Sequence, residues 1–194
     1  MIATAIPAGF AAGLFGIGGG LVTVPILFYI FSFSGIETAY VMHLAVGTSF
    51  GIIIPTSTVS VLTHHQHKAV DFSIVKGFGL FVATGVILGT IFAASLETKP
   101  LILFFTIIVY VLAFYLLFLK EKETNIEIKI GLFSKAISGI VSGFISAPMG
   151  IGGAVMNVPI LKFFGYPINK AIGSAAAIGS VSYTHLTLPT SFLV

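Results

Sequence analysis

"GLFGIGGGLVTVPIL", residues 13–27, and "APMGIGGAVMNVPIL", residues 147–161, are two versions of one phrase, about 130 residues apart. The first crowds Gly16, Gly18, Gly19 and Gly20 into five positions; the second places Gly150, Gly152 and Gly153 in the same frame. Both clusters interrupt an otherwise apolar run. Glycine costs a helix interior about 1 kcal/mol relative to alanine, so each run is broken in its middle, and in the same way twice.

The surroundings of the phrase are those of a membrane protein. The chain has 194 residues, of which 57% are hydrophobic and 8% charged, with a mean hydropathy of +1.12. A soluble domain carries roughly 25% charged residues, and a third of that cannot coat a surface facing water. With no cysteine, disulfides and thiolate metal sites are excluded. In the absence of Trp, Tyr29, Tyr40, Tyr110, Tyr115 and Tyr166 are the candidates for the interfacial aromatics. The net charge of +3 comes from nine lysines against six acids. They stand singly or in pairs between apolar segments, which is a pattern of loops and not of nucleic-acid binding. The N-terminus lacks a charged leader and a cleavage site, so it reads as part of the first membrane segment.

Four apolar stretches come first, over residues 2–33 (broken at 16–20), 41–62, 72–96 and 100–119. A spanning helix takes about 20 apolar residues. "KEKETNIEIK", residues 120–129, is the main charge cluster and marks a linker over 120–130 between a first repeat, 1–119, and a partial second repeat, 131–180. The cycle then restarts with residues 130–164, broken at 150–153, and continues from 171. "GIGG" and "VPIL" are identical in both halves, Gly9 and Gly13 correspond to Gly139 and Gly143, and "AVGTS" (45–49) corresponds to "AIGSA" (171–175). Duplicated halves are a common construction of secondary transporters.

The sequence resembles the sulfite exporter TauE/SafE family, also called the sulfonate-uptake permease family. The resemblance rests on "AAGLFGIGGGLVTVPIL", "LAVGTS", the "HHQHKAVDF" loop and the second "GIGGAVMNVPIL" with "KAIGSA", and covers roughly residues 1–180. It implies a multi-pass inner-membrane carrier of small sulfur-containing or organic anions. Family members continue with further spans, whereas "SVSYTHLTLPTSFLV" closes this chain without an apolar run of span length. Residues 181–194 therefore read as an atypical, non-native tail on a truncated second half.

The lysines choose between two topologies. A single crossing by residues 2–33 would reach ~48 Å, against a hydrocarbon core of ~30 Å; a hairpin with the glycines at its tip reaches ~21 Å per arm. With Lys120, Lys122, Lys129 and Lys135 inside, the loop of Lys68 and Lys76 is also inside and Lys99 is outside. A single crossing at the second glycine cluster puts Lys162 and Lys170 outside, giving six lysines in and three out; a hairpin returns them inside, giving eight and one. The positive-inside rule prefers the hairpin. The expected fold is an all-α polytopic membrane protein of two homologous, inverted repeats, each opening with a Gly-broken, re-entrant helix.

Irregular backbone survives at membrane depth only inside protein or beside a water-filled cavity. A helix restarting after such a break presents free N–H groups and the positive end of its dipole, which together favour an anion. Glycine lets a ligand approach without a Cβ in the way. Gly9, Gly13, Gly139, Gly143, Gly85 and Gly89 read instead as small-residue packing contacts. The spans are read as free of Asp, Glu, Lys and Arg, so the anion falls to backbone dipoles and neutral donors: Thr23, Thr48, Ser49, Asn157 and Ser174, with Asn157 standing where the first half has Thr23. A buried Asn or Thr is more often satisfied by a neighbouring helix. His43 reads as an interfacial histidine that could alternatively couple protons. "HHQHK", 64–68, reads as a headgroup or orientation element rather than a metal site, for want of acidic or thiol partners.

The leading function is a secondary carrier of a small anion such as sulfite, a sulfonate or a related organic acid. No cofactor, metal or ATP motif is expected. The partners are the anion and the lipid bilayer, with a homo-oligomer left open. The alternative is a non-transporting anchoring or assembly subunit linked to sulfur metabolism. An intramembrane enzyme is disfavoured, because no nucleophile–base pair, paired carboxylates or metal cluster occurs within the spans.

Overall fold

The computed structural model describes residues 20–118 and 131–190, with backbone alone for residue 116 and residues 183–190. Gly16, Gly18 and Gly19 of the first cluster and the whole charged linker, residues 120–130, lie outside the described residues. Those described form seven helices: α1 (Gly20–Phe33), α2 (Val41–Gln66), α3 (Phe72–Ser95), α4 (Thr98–Phe118), α5 (Leu132–Ser146), α6 (Ala154–Phe163) and α7 (Ile168–Thr190). Three are long and apolar enough to cross a membrane, over Val41–Gln66, Phe72–Ser95 and Thr98–Tyr115. Their outward faces carry exposed Leu80, Leu88, Ile91, Leu103, Tyr110 and Phe114, the apolar surface that lipid covers.

The helix ends follow local chemistry. Asp71 caps α3 by accepting the Ser73 N–H at 3.0 Å. Gly35 after α1 and Gly165 after α6 both take left-handed φ, 77° and 84°. Beyond each, the chain folds an N–H back onto the helix, Ile36 to the Phe31 carbonyl and Tyr166 to that of Leu161. The same glycine cap thus closes both half-length helices. At about 1.5 Å per residue, α5 and α6 reach ~22 and ~15 Å, each short of a bilayer core, whereas α3 reaches ~36 Å.

Close backbone packing sets the course of the broken segment. α3 and α5 meet glycine to backbone: Gly85 lies on the Ile140 carbonyl, Gly89 on that of Phe144, and Gly143 on that of Val82. Gly139 lies against Phe78 and Phe81. From Gly139 to Ala147, α5 therefore runs alongside α3 from the level of Phe78 to that of Gly89. After the break α6 comes back, because Phe164 at its end stacks edge-on with Phe78, ring centroids 6.0 Å apart. The next turn then meets the start of α3, where Lys170 pairs with Asp71 at 3.5 Å and Gly173 packs on the Ala69 carbonyl. At the other end of the bundle the α1–α2 turn meets the α3–α4 turn, through a Thr98 hydroxyl donated to the Ala39 carbonyl and His43 Nε2 at 3.2 Å from the Ala93 oxygen.

One expectation changes. Lys76 belongs to α3, one turn inside its start, and not to the preceding loop; the helix simply begins earlier than the charge suggests, and the side chain lies near enough its end to reach the interface. Residues 181–190, most of the stretch read as an atypical tail, belong to α7, and Ser182 there is buried.

Candidate functional site

The break at residues 147–153 is buried, with Ala147, Met149 and Ile151 at most 1% exposed. It stays folded because its backbone is used. Ala147 N–H still reaches the Gly143 carbonyl at 3.1 Å, Gly150 N–H reaches Ala147 at 3.0 Å, and Ile151 N–H turns back to Ser146 at 3.3 Å. Gly150 adopts φ 61°, and a Cβ there would press on Val24 Cγ2 at 2.9 Å. Both conformation and space demand glycine.

The Gly150 carbonyl points into the first half of the chain. Ser49 donates its hydroxyl proton to it at 2.8 Å, and Thr23 Oγ1 stands 3.2 Å from the same Ser49 oxygen. Gly20, the first residue of α1, packs its backbone on the Gly150 carbonyl and on Ile151 Cα. The start of α1 therefore abuts the break that precedes α6. Ser49 and Thr23 are the mortar of this contact, and Ser49 in particular is committed to a carbonyl.

On the other side of the break lies the opening of α6. Its first N–H groups have no carbonyl one turn behind them, and bonding resumes only where Asn157 N–H meets the Gly153 carbonyl at 2.9 Å. Asn157 is fully buried. Its Oδ1 accepts the Ser142 hydroxyl at 2.5 Å, and its Nδ2 lies over Gly153, 2.7 Å from where a Cβ would stand. That Nδ2 has no hydrogen-bond partner, nor have the hydroxyls of Ser146 and Ser182. The buried polar side chains among the described residues are Ser49, Thr98, Ser142, Ser146, Asn157, Ser174 and Ser182, all neutral. A break so lined can hold an anion by dipole and hydrogen bonds without a countercharge.

The sequence-selected residues separate into groups. Gly20, Thr23, Ser49, Gly150, Gly152, Gly153 and Asn157 gather at the break, with Gly152 beside Ile53. Thr48 is exposed on the outer face of α2. Ser174 is buried elsewhere, accepting the Asp71 N–H at 3.0 Å at the start of α3. Ser142, Ser146 and Ser182 escaped the sequence reading. The only hint of the first two is their four-residue spacing beside Gly139 and Gly143 on one small-residue stripe. His64 and His67 line a separate depression of about 230 Å³ with Ala69, Asn169 and Ile172.

Comparison with known proteins finds a family and several relatives. A family model described as sulfite exporter TauE/SafE matches residues 1–189. A Haemophilus influenzae protein named as a probable membrane transporter is 34% identical over 172 residues, covering 89% of this chain and 65% of its own length. One from Methanocaldococcus jannaschii with the same description is 29% identical over 188 residues, 95% of this chain and 68% of the relative. A third, from Bacillus subtilis, is 25% identical and covers 94% and 77%. The chain thus spans about two thirds of the length of the first two relatives. No solved structure matches it. A family match across nearly the whole chain, joined to apolar helices of spanning length, makes this a membrane protein that belongs to the sulfite exporter TauE/SafE family.

Proposed function

We propose that the protein is a multi-pass inner-membrane secondary transporter of small anions, with sulfite, sulfonates and related organic acids as its substrate class. The observation that carries the reading is the buried break before α6, a helix start lined by neutral donors with an unmet Asn157 amide over Gly153. The relatives' description as membrane transporters supports the same reading.

The two halves are inverted repeats in this account. α1 leaves the break toward the α1–α2 turn, and α6 leaves it toward the opposite end of the bundle, each ending in the same glycine cap. The N-termini of two half-helices then face one central point from opposite sides, the arrangement by which carriers expose a midplane site alternately. The second repeat, as far as residue 180, enters and returns on one side, and the linker 120–130 joins it to the first.

Counterflow in proteoliposomes holding the full chain tests this. Sulfite, thiosulfate, sulfoacetate and acetate are each offered as labelled anion against an unlabelled interior pool. Saturable, self-competed counterflow of one of them, lost in Gly153→Leu, is the expected result. Folded protein that exchanges none of the four overturns the reading.

A further inference from the structure

The cap that closes α1 and α6 recurs at the end of α2, with one difference. Ala69 N–H returns to the His64 carbonyl at 2.9 Å, as Ile36 does to Phe31 and Tyr166 to Leu161. Where the other two caps have Gly35 and Gly165, this one has Lys68 in the same left-handed region, φ 55°. A side chain there meets a steric penalty that glycine escapes. Lysine at such a place calls for a use of its ammonium group.

The surroundings supply one. Lys68 stands between His67 and Ala69, which with His64, Asn169 and Ile172 line the depression of about 230 Å³ where α2 ends and α7 begins. His67 spends its Nδ1 proton on the Thr63 carbonyl at 2.8 Å. The His64 ring and the Asn169 amide have no hydrogen-bond partner among the described residues. This end of the bundle carries Lys68, Lys76, Lys135, Lys162 and Lys170 against one acid among the described residues, Asp71, whose carboxylate is already paired with Lys170. Glu37 and Glu97 belong to the turns at the other end. Apolar side chains are exposed here too: Leu62 near the end of α2, Phe72 at the start of α3, and Ile172 in the depression itself.

We propose that this depression seats the phosphate group of an anionic phospholipid, with Lys68 meeting its charge and His64 and Asn169 donating to its oxygens. Basic pockets where helices leave a bilayer take such headgroups, and α2 and α3, both of spanning length, are joined by this turn. A free phosphate ion offers the same oxygens but has no chains to cover Leu62, Phe72 and Ile172, which favours the lipid. The site lies apart from the break before α6 and does not depend on the transport reading.

Dioctanoyl phosphatidylglycerol and dioctanoyl phosphatidylcholine share their chains and their phosphate, and in the second the choline cancels the charge. Native mass spectrometry of the full chain, released from detergent, measures the affinity for each, with thermal melting in parallel. The wild type is expected to hold phosphatidylglycerol about tenfold tighter than phosphatidylcholine. Lys68→Gly is expected to weaken phosphatidylglycerol about fivefold, the worth of one lysine beside an anionic lipid. Without lipid it should melt no lower than the wild type, since glycine suits the left-handed position; a merely structural lysine would do the opposite. Asn169→Ala should weaken the same lipid several-fold, whereas Lys99→Gln, which removes a charge from the other end, should change nothing. Equal affinity for the two lipids, or unchanged phosphatidylglycerol affinity in Lys68→Gly, overturns the proposal. Inorganic phosphate that displaces phosphatidylglycerol at equal concentration overturns it as well, and makes the depression a free-ion site.

Discussion

Ser49 and Gly150 stand 101 positions apart in the chain, yet the Ser49 hydroxyl donates to the Gly150 carbonyl across 2.8 Å in a fully buried contact. That bond fastens the first-half pair α1–α2 to the break in the second half. Removing it strands a carbonyl where no water reaches. Ser49→Ala is therefore expected to destabilise the fold by about 1–3 kcal/mol, seen as a lower melting temperature in detergent. Thr48→Ala, one residue away on the exposed face, is expected to leave it unchanged.

The α3–α5 contact rests on glycines whose neighbours are backbone and cannot give way. Gly143→Ala presses a Cβ onto the Val82 carbonyl and Gly85→Ala onto that of Ile140. Each should cost about 1–3 kcal/mol or more, as overpacking does. Gly47 and Gly77 have nothing within 4 Å of that position, so Gly47→Ala and Gly77→Ala should be neutral or mildly stabilising. Melting temperatures of the four variants separate packing glycines from the rest.

Much of this contact could be read from sequence, since four-residue glycine spacing in apolar helices has few other uses. The break at Gly150–Gly153 was equally legible, because clustered glycine cannot continue a buried helix. What sequence could not supply was rotation. Thr48 and Ser49 are neighbours with similar chemistry, yet one faces outward and the other the core, and only the packing of α2 against the break decides which. Ser174 likewise matched Thr48 by repeat register but serves the α3 start. Ser182 was hidden because its surroundings lack an apolar run, although packing buries it all the same.

Asp71 combines two roles that substitution can part. It caps α3 through Oδ1 and pairs with Lys170 through Oδ2. The pair is partly solvated, with Lys170 49% and Asp71 29% exposed, so its worth is at most about 1 kcal/mol. Asp71→Asn keeps a cap and loses the charge, and its small destabilisation should shrink further in high salt. Asp71→Ala loses the cap as well, costing about 0.5–2 kcal/mol more, and that part should not respond to salt. Melting curves at low and high ionic strength distinguish the two.

An anion site between facing half-helices requires the broken segment to turn back, so that its two ends share one side of the membrane. The chain has no cysteine of its own, which makes single-cysteine labelling direct. Cysteines replacing Lys135 at the start of α5, Lys162 at the end of α6 and Lys99 at the start of α4 are each exposed to a membrane-impermeant maleimide in sealed, oriented vesicles. The prediction is that positions 135 and 162 label from the same side and position 99 from the other. Labelling of 135 and 162 from opposite sides would make the segment a single crossing, and the facing half-helices on which the anion site rests would not exist.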